Sequence, residues 1–550
     1  MQRFVKIHPD DNVLVALEDL PSGSRIDFEG ARIELLHDIS QKHKFTIHEL
    51  GKDEVVLMYG VPVGKTNEKL AAGMPLTTQN LRHFTSESID TKTRKAQWNV
   101  PDISDYKNKT FMGYHRANGE VGTRNNWLVI PLVFCENRNI DAIRDHLAKK
   151  LGYDTKSSFD LDIDKLIDRY NSGADADTLI REDILVDRET VIEKRIFRNV
   201  DGIKFLKHEG GCGGIRQDSE TLCNLLAGYV KNPNVAGATF LSLGCQNAQI
   251  EMMKNALDKA GVMEDKIIYF LEQQAYNTEK ELISAAVKYT FAGLSQANEI
   301  ERKPAPLSKL TLGLECGGSD GFSGISANPV LGYASDMLVA LGGTAILSEF
   351  PELNGVEQEL ASRCIDEEKA MRFIHLMEAY HQKAIDAGSG FSANPSPGNI
   401  KDGLITDAMK SAGAAKKGGT SPVVAVLDYT EEATKGGLNL LCTPGNDVES
   451  TTGLAGSGAN LIVFTTGLGT PTGNPVAPVI KMSSNSKLYQ RMNDIIDFDS
   501  GGVISGSETI ESAGIKLFEL LIKVASGEEQ TKADLLGQDD FIPWKRGVSL

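Results

Sequence analysis

The sequence predicts an α/β protein in which a small β-rich domain precedes two α/β domains with parallel sheets. Three observations lead to this prediction. A chain of 550 residues exceeds what one hydrophobic core usually organises. Short apolar runs broken by turns fill the first 84 residues. Beyond them, apolar strands alternate with helical segments over most of the chain.

The first domain is assigned to residues 1–84. Its apolar runs, among them VLVALEDL, KFTIHEL and EVVLMYG, are separated by turn residues at intervals of roughly eight to twelve positions, which is typical of a Greek-key or clip-like arrangement. Residues 85–109 are polar, contain few aliphatic side chains and show no sustained period. They are therefore predicted to form a linker.

Residues 110–305 and 306–550 are predicted to form the two α/β domains. The first contains the runs NWLVIPLVFC, GATFLSLGC and DKIIYFL, and the second contains KLTLGLECGG, GGTAILSEFPE and ANLIVFTTG. Such largely apolar runs are typical of strands that are covered on both faces in a parallel sheet. The charged region 152–198 interrupts the series and is predicted to be a helical insertion with a solvated outer face.

Composition argues against several classes of protein. The formal net charge of −17, from 75 acidic and 58 basic residues, disfavours a nucleic-acid partner because a broadly acidic surface repels polyanions. There is no membrane-spanning apolar run of about 18 residues and no sign of a secretion signal, so we expect no membrane partner and a cytoplasmic location. Seven widely spaced cysteines do not suggest a disulfide framework.

Four predicted strands end in a cysteine: Cys135, Cys212, Cys245 and Cys316. Ligands of open α/β sheets bind beyond the carboxyl ends of the strands, and thiolates favour iron or zinc. We therefore predict that Cys212, Cys245 and Cys316 converge on one catalytic metal, with His208 as a further ligand or a base. Packing in the core is the competing interpretation, above all for Cys135.

The segment LECGGSDGFSGISANP, from 314 to 329, is the densest polar cluster at any predicted strand end. Its hydroxyl, carboxylate and amide groups would suit a polyol. The next strand leads into SEFPELNGVE, where Glu349 or Glu352 could bind a cation or transfer a proton. A solvated acidic loop is the alternative interpretation of that segment.

Two arginines precede the first strand of the middle domain, Arg116 and Arg124 in GYHRANGEVGTRNNW. A guanidinium fork binds a carboxylate at two points, so one of these side chains could hold an acid substrate, although an ordinary exposed arginine is the default interpretation of either taken singly. The glycine-rich run FTTGLGTPTG lacks the full dinucleotide fingerprint, which disfavours a nicotinamide dehydrogenase.

These motifs resemble the altronate/galactarate dehydratase family, above all its altronate dehydratase branch. The resemblance extends over nearly the whole chain, and CGGSDGFSGISANP and NPSPGN are its most specific segments. The N-terminal part is similar to the β-clip domain called SAF. The resemblance implies a SAF domain followed by two Rossmann-like α/β domains, usually assembled as a homodimer. It also implies dehydration of a sugar acid to a 2-keto-3-deoxy acid, stimulated by a divalent metal.

The resemblance also suggests roles for individual residues. The metal is expected to be Fe²⁺, with Mn²⁺ as the alternative and an iron–sulfur cluster left open. The acid and the base are sought, without assignment, among His208, Glu349, Glu352 and Lys410. The substrate carboxylate would bind Arg116 or Arg124, and its hydroxyls would bind Ser319, Asp320, Asn328 and Asn399.

The chain also departs from the family pattern. It has Thr77 and Gln79 at the positions of a family histidine pair, and Leu468 where an arginine is common. The substrate therefore stays open between an altronate-type hexonate and galactarate or another aldarate. A sulfo-lyase acting on a sulfonated hydroxy acid and a non-catalytic sugar-acid binding protein are the further alternatives.

Overall fold

The computed structural model describes residues 3–84, 89–92, 98–153, 159–187, 195–263, 265–547 and Ser549. Parts of the predicted linker (85–88 and 93–97) and of the predicted insertion (154–158 and 188–194) lie outside the described residues. Of the helices within the described ranges, none combines the length and the apolar character that a membrane crossing requires.

The N-terminal domain consists of short antiparallel strands. They are β1 (Phe4–Val5), β2 (Val13–Ala16), β3 (Arg25–Phe28), β4 (Ala31–Glu34), β5 (Lys44–Thr46), β6 (Val55–Met58), β7 (Val61–Thr66) and β8 (Leu81–Arg82). They pair in the orders β1-β2-β5, β3-β4 and β6-β7-β8. The β3-β4 and β6-β7 hairpins turn at Glu29–Gly30 and Tyr59–Gly60, where every residue has a positive φ, as type I′ turns require.

A parallel sheet forms the centre of the middle domain. The strands of this region are β9 (Thr110–His115), β10 (Val121–Gly122), β11 (Asn126–Pro131), β12 (Phe159–Leu161), β13 (Leu185–Asp187), β14 (Gly202–Phe205), β15 (Val235–Ser242), β16 (Ile267–Glu272) and β17 (Arg302–Pro306). The sheet has the order β14-β11-β15-β16, with every pair parallel. All residues of β11 and β15 are buried, because helices and the neighbouring domain cover both faces.

The helices of the middle domain are α1 (Asn137–Leu151), α2 (Ile163–Asn171), α3 (Ala176–Arg181), α4 (Arg216–Lys231), α5 (Ile250–Lys259) and α6 (Glu279–Ala297). In the predicted helical insertion, α2 and α3 lie between β12 and β13, which pair antiparallel. The described part of the insertion is thus helical, as predicted, and is closed by a short hairpin that the charge pattern did not indicate.

The C-terminal domain is built on a seven-stranded parallel sheet. Its strands are β18 (Thr311–Cys316), β19 (Thr344–Leu347), β20 (Val423–Leu427), β21 (Gly437–Leu441), β22 (Leu461–Thr466), β23 (Val479–Ser483) and β24 (Phe498–Asp499). Their order is β20-β21-β19-β18-β22-β23-β24. The direction of winding therefore reverses between β18 and β22.

Ten helices cover this sheet and its edges. They are α7 (Ala327–Ala340), α8 (Glu357–Arg363), α9 (Glu367–Asp386), α10 (Pro397–Lys401), α11 (Asp407–Ala414), α12 (Asp447–Gly456), α13 (Ser486–Arg491), α14 (Gly501–Ser505), α15 (Ile510–Ser526) and α16 (Lys532–Leu536). Both predicted parallel sheets are thus present. The Rossmann-like description of the two domains and their boundaries stay predictions.

The three regions share hydrophobic cores. One cluster joins Val56 and Val63 of the N-terminal domain to Leu314 and Phe350 beside the large sheet. A second joins the middle domain to the other face of that sheet. The described part of the predicted linker is anchored at Tyr106, which is buried and whose hydroxyl donates to Glu519 Oε1 over 2.7 Å, while most of its other described residues are exposed. The two faces of the large sheet are therefore packed against different parts of the chain.

Candidate active site

A group of buried ionisable side chains lies where the winding of the large sheet reverses. At such a switch point the loops that follow two neighbouring parallel strands diverge and leave a crevice. Here the loops after β18 and β22 are tied together, because Gly317 N donates to Thr465 O and Gly467 N donates to Gly318 O, each over 3.0 Å. This places Cys316, the last residue of β18, at the crevice.

Cys316, Glu349 and Glu352 form the centre of the cluster. All three are buried, and their ligand atoms lie within 4.8 Å of one another. The Cys316 thiol donates to Glu352 Oε2 over 3.2 Å, while Cys316 N donates to Glu349 Oε2 over 3.2 Å. Glu349 has φ 66°, which is unfavourable for a residue with a side chain. Its backbone N–H donates to Thr443 Oγ1 over 2.8 Å, which helps hold this conformation.

Two lysines supply the positive charge of the cluster. Lys417 Nζ lies 2.8 Å from Cys316 Sγ and 2.5 Å from Glu349 Oε2, and the side chain is 1% exposed. Lys410 Nζ donates to Glu352 Oε1 over 2.6 Å and to Asn394 Oδ1 over 2.7 Å. Burial alone would lower the pKa of Lys417, but the surrounding Cys316, Glu349 and Glu352 raise it well above its usual value. Lys417 is therefore a fixed cation.

The acidic groups of the cluster differ in protonation. Burial and the charge of Glu349 raise the pKa of Glu315 well above its usual value, so Glu315 is neutral. Burial, followed by the nearby carboxylates, likewise keeps the Cys316 thiol protonated by raising its pKa. For Glu352 burial acts in the same direction, but Lys410 and Lys417 outweigh it and lower the pKa.

Asp447 is the acid of the cluster that can exchange a proton near neutral pH. It begins α12, and a Cβ placed on Gly317 would lie 2.0 Å from Asp447 Oδ2, so this carboxylate covers the turn after Cys316. Burial, followed by the charges of Glu349 and Glu352, raises the pKa of Asp447 to about 7. A group with that pKa is suited to general acid–base catalysis.

The N-terminal domain contacts the crevice through the segment KHK, residues 42–44. Lys42 Nζ lies 3.0 Å from Asp320 Oδ2 and 3.2 Å from Asp402 Oδ1, while Lys44 donates to Gly403 O over 2.6 Å. Asp320 is fully buried and also accepts a hydrogen bond from Ser323 Oγ over 2.9 Å. The N-terminal domain thus fixes the loop that follows β18.

The predicted substrate-binding residues form hydrogen bonds that hold the loop after β18 in place. Asn399 Nδ2 donates to Ser319 O over 2.7 Å. Asn328 Nδ2 donates to Gly413 O over 2.9 Å, and Asn328 Oδ1 accepts from Thr465 Oγ1 over 2.7 Å. The structure therefore brings Ser319, Asp320, Asn328 and Asn399 to the carboxyl end of the large sheet, as expected, but many of their polar groups are engaged within the protein.

Arg116 and Arg124 are not surface groups in this structure. Both side chains are buried, so the interpretation of either as an ordinary exposed arginine is wrong. Arg116 Nε donates to Pro233 O over 2.7 Å, and Arg124 binds Val524 O over 3.0 Å and Asp534 Oδ2 over 2.9 Å. These contacts join the middle domain to its surroundings, and among the described residues Arg116 Nη1 is buried without a hydrogen-bond partner. Their role as carboxylate ligands stays a prediction.

The predicted three-thiolate metal site is not assembled in the structure. Cys212 and Cys245 are exposed and follow strands of the middle sheet, whereas Cys316 is buried at the end of a strand of the large sheet. Among the described residues, the close group of metal-type ligands that contains Cys316 is completed by Glu349 and Glu352. The prediction required strand ends of two different sheets to meet at one point. The sequence pattern does not show which strands share a sheet, so it could not test this requirement.

His208 is not available as a base in this structure. The side chain is buried, its Nε2 lies 2.7 Å from Pro131 O and its Nδ1 accepts a hydrogen bond from Gly210 N over 3.1 Å. Burial lowers the pKa of His208 to about 4. It lines a cavity of about 650 Å³ together with Cys212, but both of its ring nitrogens are engaged by backbone groups, one in its own loop and one at the end of β11.

Two important residues of the cluster were missed from the sequence. Asp447 follows the loop TPGN after β21 and is the first residue of a helix. Helix N-termini beyond the ends of parallel strands commonly bind ligands, so the sequence pattern could have indicated this residue. Lys417 stands beside Lys416 in AAKKGG. No sequence pattern shows which of two adjacent lysines is buried.

Comparisons with known proteins agree along the chain. The family model described as D-galactarate/altronate dehydratase, C-terminal, matches residues 307–549. The model for the second domain of D-galactarate dehydratase/altronate hydrolase matches 113–298, and the altronate/galactarate dehydratase SAF domain matches 2–83.

Three curated relatives have the following similarity to the chain. An altronate dehydratase of Bacillus subtilis is 33% identical over 528 residues, which cover 96% of each chain. A galactarate dehydratase (L-threo-forming) of Escherichia coli is 31% identical over 97% of this chain and 95% of its own. A (2R)-sulfolactate sulfo-lyase subunit beta of Chromohalobacter salexigens is 29% identical over 80% of this chain and 98% of its own.

Replacing Lys417 by Met should destabilise the protein strongly. The change leaves Glu349 buried without its closest cation, and breaking a buried ion pair in this way costs about 3–5 kcal/mol. Lys416→Met is the matched control, because Lys416 is 31% exposed and its ammonium lies 3.7 Å from Glu359. Its effect should stay below about 1 kcal/mol. Urea unfolding of both variants measures the difference, and equal losses would contradict the role given to Lys417.

His208 should make the protein less stable in mild acid. The unfolded chain takes up a proton on His208 below about pH 6.5, but the folded chain does so only below about pH 4, so stability is lost as the pH falls through this interval. The loss is about 2.5 kcal/mol at a pH of about 4.5. In His208→Gln the amide can replace both hydrogen bonds without titrating. Urea unfolding should therefore show a weaker pH dependence for this variant, and identical slopes would refute the assignment.

Proposed function

Because this chain belongs to the altronate/galactarate dehydratase family and is a hydro-lyase, we propose that it dehydrates an altronate-type hexonate to a 2-keto-3-deoxy acid. The observation that carries the proposal is the buried cluster of Cys316, Glu349, Glu352, Lys410 and Lys417 at the switch point of the large sheet. The chemistry that such an elimination needs is available from this cluster.

Dehydration of a sugar acid begins at the carbon next to the carboxylate. Removing its proton places negative charge on the carboxylate oxygens, and the reaction is slow unless that charge is neutralised. Lys417 and Lys410 are cations held in fixed positions by carboxylates, so they need no reorganisation when charge develops. Their burial strengthens the interaction, because little water screens it.

We propose that a divalent metal, Fe²⁺ with Mn²⁺ as the alternative, is held by Cys316, Glu349 and Glu352. The donor set fits such an ion, since one thiol and two carboxylates combine soft and hard ligands. All three residues are buried, and their ligand atoms lie within 4.8 Å of one another, which is close enough to bind one ion. Three protein ligands leave positions open for substrate. A bound metal would supply Lewis-acid stabilisation of the enediolate.

Asp447 and Lys410 are the proposed proton-transfer groups. The Asp447 carboxylate takes the proton from the carbon next to the substrate carboxylate, and Lys410 Nζ gives a proton to the departing hydroxyl on the next carbon. Water leaves, and the enol that remains tautomerises to the 2-keto-3-deoxy acid. Glu352 and Asn394 hold Lys410 in place through the two hydrogen bonds described above.

Leu468 supports a substrate with one carboxylate. It follows β22, it is 42% exposed, and its Cβ would lie 3.2 Å from a Cβ placed on Gly318. Where the family commonly has an arginine, this chain therefore presents an apolar side chain beside the crevice. A second carboxylate, as in galactarate, would lack that cation.

The purified protein, supplied anaerobically with Fe²⁺, should convert a hexonate such as altronate to a 2-keto-3-deoxy acid without added nicotinamide. Product analysis by mass spectrometry over a panel of aldonates, aldarates and sulfonated hydroxy acids measures this. Release of sulfite from a sulfonated substrate in preference to dehydration would favour the sulfo-lyase alternative. The similarity to a (2R)-sulfolactate sulfo-lyase subunit beta supports that alternative. Turnover that required nicotinamide would overturn the proposal.

Replacing Asp447 by Asn should lower kcat by about 100-fold or more, the usual contribution of a positioned acid or base. The limb of the pH–rate profile near pH 7 should disappear with it, since the group that titrates there is removed. Asp386→Asn, at the exposed end of α9, is the control and should keep both kcat and the profile. A variant at Asp447 with normal kcat would exclude this residue as the proton acceptor.

A further inference from the structure

Three exposed thiols lie along one edge of the middle sheet. Cys212 follows β14, Cys135 follows β11 and Cys245 follows β15. These strands are neighbours in the order β14-β11-β15, and all run parallel, so their carboxyl ends share an edge. The four other cysteines of the chain are buried. Exposure of three cysteines at one edge is unusual, because cysteine is among the most buried residue types.

The loops that carry these thiols are in direct contact. Phe134 N donates to Gly210 O over 3.1 Å, which joins the loops of Cys135 and Cys212. Asn247 N and Ala248 N donate to Gly211 O over 2.9 and 3.1 Å, which joins the loops of Cys212 and Cys245. A Cβ on Gly211 would lie 2.0 Å from Leu132 O, so the loops of Cys135 and Cys212 are too close for any side chain at this position.

Glycines with a positive φ lie beside two of the thiols. Gly211 and Gly213, on either side of Cys212, have φ of 93° and 70°, and Gly244, just before Cys245, has φ of 110°. Left-handed residues next to right-handed or extended ones turn successive N–H groups towards the same side. Such nests bind phosphates and the negatively charged sulfur of iron–sulfur clusters.

We propose that Cys135, Cys212 and Cys245 bind an iron–sulfur cluster. A single ion fits them less well, because in the described chain these three sulfur atoms do not lie within 4.8 Å of one another as the Cys316 group does. In a cluster each thiolate ligates a different iron, so the thiolates stand further apart than the ligands of one ion. The site is distinct from the cluster around Cys316 and does not depend on the proposed function.

The number of thiolates and the adjoining cavity indicate what this cluster can bind. Three cysteines leave one iron of a four-iron cluster without a protein ligand, because each iron takes one thiolate. Cys212 and Gly211 line a cavity of about 650 Å³ that also reaches Glu449 and Trp544. A cavity of this size admits a small carboxylate or hydroxy acid, the class of oxygen ligand that an open iron accepts.

Anaerobic reconstitution of the full chain with ferrous iron and sulfide tests the proposal. The wild type should bind about four iron and four acid-labile sulfide per chain and show the visible charge-transfer absorption of a cluster. Cys135→Ser, Cys212→Ser and Cys245→Ser should each lose most of the sulfide while keeping the far-ultraviolet circular dichroism of the wild type. Cys223→Ala, a buried thiol in α4 of the same domain, is the matched control and should retain the sulfide.

Cys316→Ser separates this proposal from the proposed function. It should lose dehydration while keeping sulfide, since Cys316 belongs to the other cluster. Reconstituted wild type that holds no sulfide, or holds iron alone, would overturn the iron–sulfur assignment and leave the dehydration assay unaffected. Full sulfide in all three serine variants would do the same.

Discussion

The contact between the Lys417 ammonium, the Cys316 thiol and the Glu349 carboxylate is the interaction on which the site depends. Four acidic side chains, those of Glu315, Glu349, Glu352 and Asp447, lie near one another with little access to water. Without a buried cation, their mutual repulsion and the cost of burying charge would hold most of them neutral. Lys417 allows a carboxylate to remain ionised in the interior, and Lys410 does the same for Glu352.

This arrangement requires support from the rest of the molecule, because a charged cluster is stable in the interior only if its geometry is fixed. The large sheet positions Cys316 and Glu349 at the ends of adjacent strands. The N-terminal domain holds the loop after β18 through Lys42 and Asp320, and it shares a hydrophobic core with the sheet. The N-terminal domain therefore acts on the site by positioning the loop after β18. The two residues of this domain that depart from the family pattern, Thr77 and Gln79, are exposed.

The cysteines show how burial decides the chemistry of one residue type. Cys316 is enclosed by carboxylates and lysines, and burial raises the pKa of its thiol, so the thiol stays protonated. Cys135, Cys212 and Cys245 end strands in the same way along the chain, but they face solvent at the edge of another sheet. The two groups share a sequence signature and differ in their surroundings. Strand-end cysteines alone therefore could not show which thiols act together.

The sequence by itself determined the β-rich start, both parallel sheets and the strand ends beside which the buried ionisable cluster lies, because hydrophobic periodicity and turn residues are local properties. It also identified Glu349, Glu352 and Lys410. Only the tertiary structure decided that Cys316 joins these residues and that Arg116, Arg124 and His208 are engaged by backbone carbonyl groups. Those outcomes depend on strand order and on contacts between distant segments. Lys416 and Lys417 are the clearest case, since only the packing of α7 and β19 around them distinguishes the buried cation from its exposed neighbour.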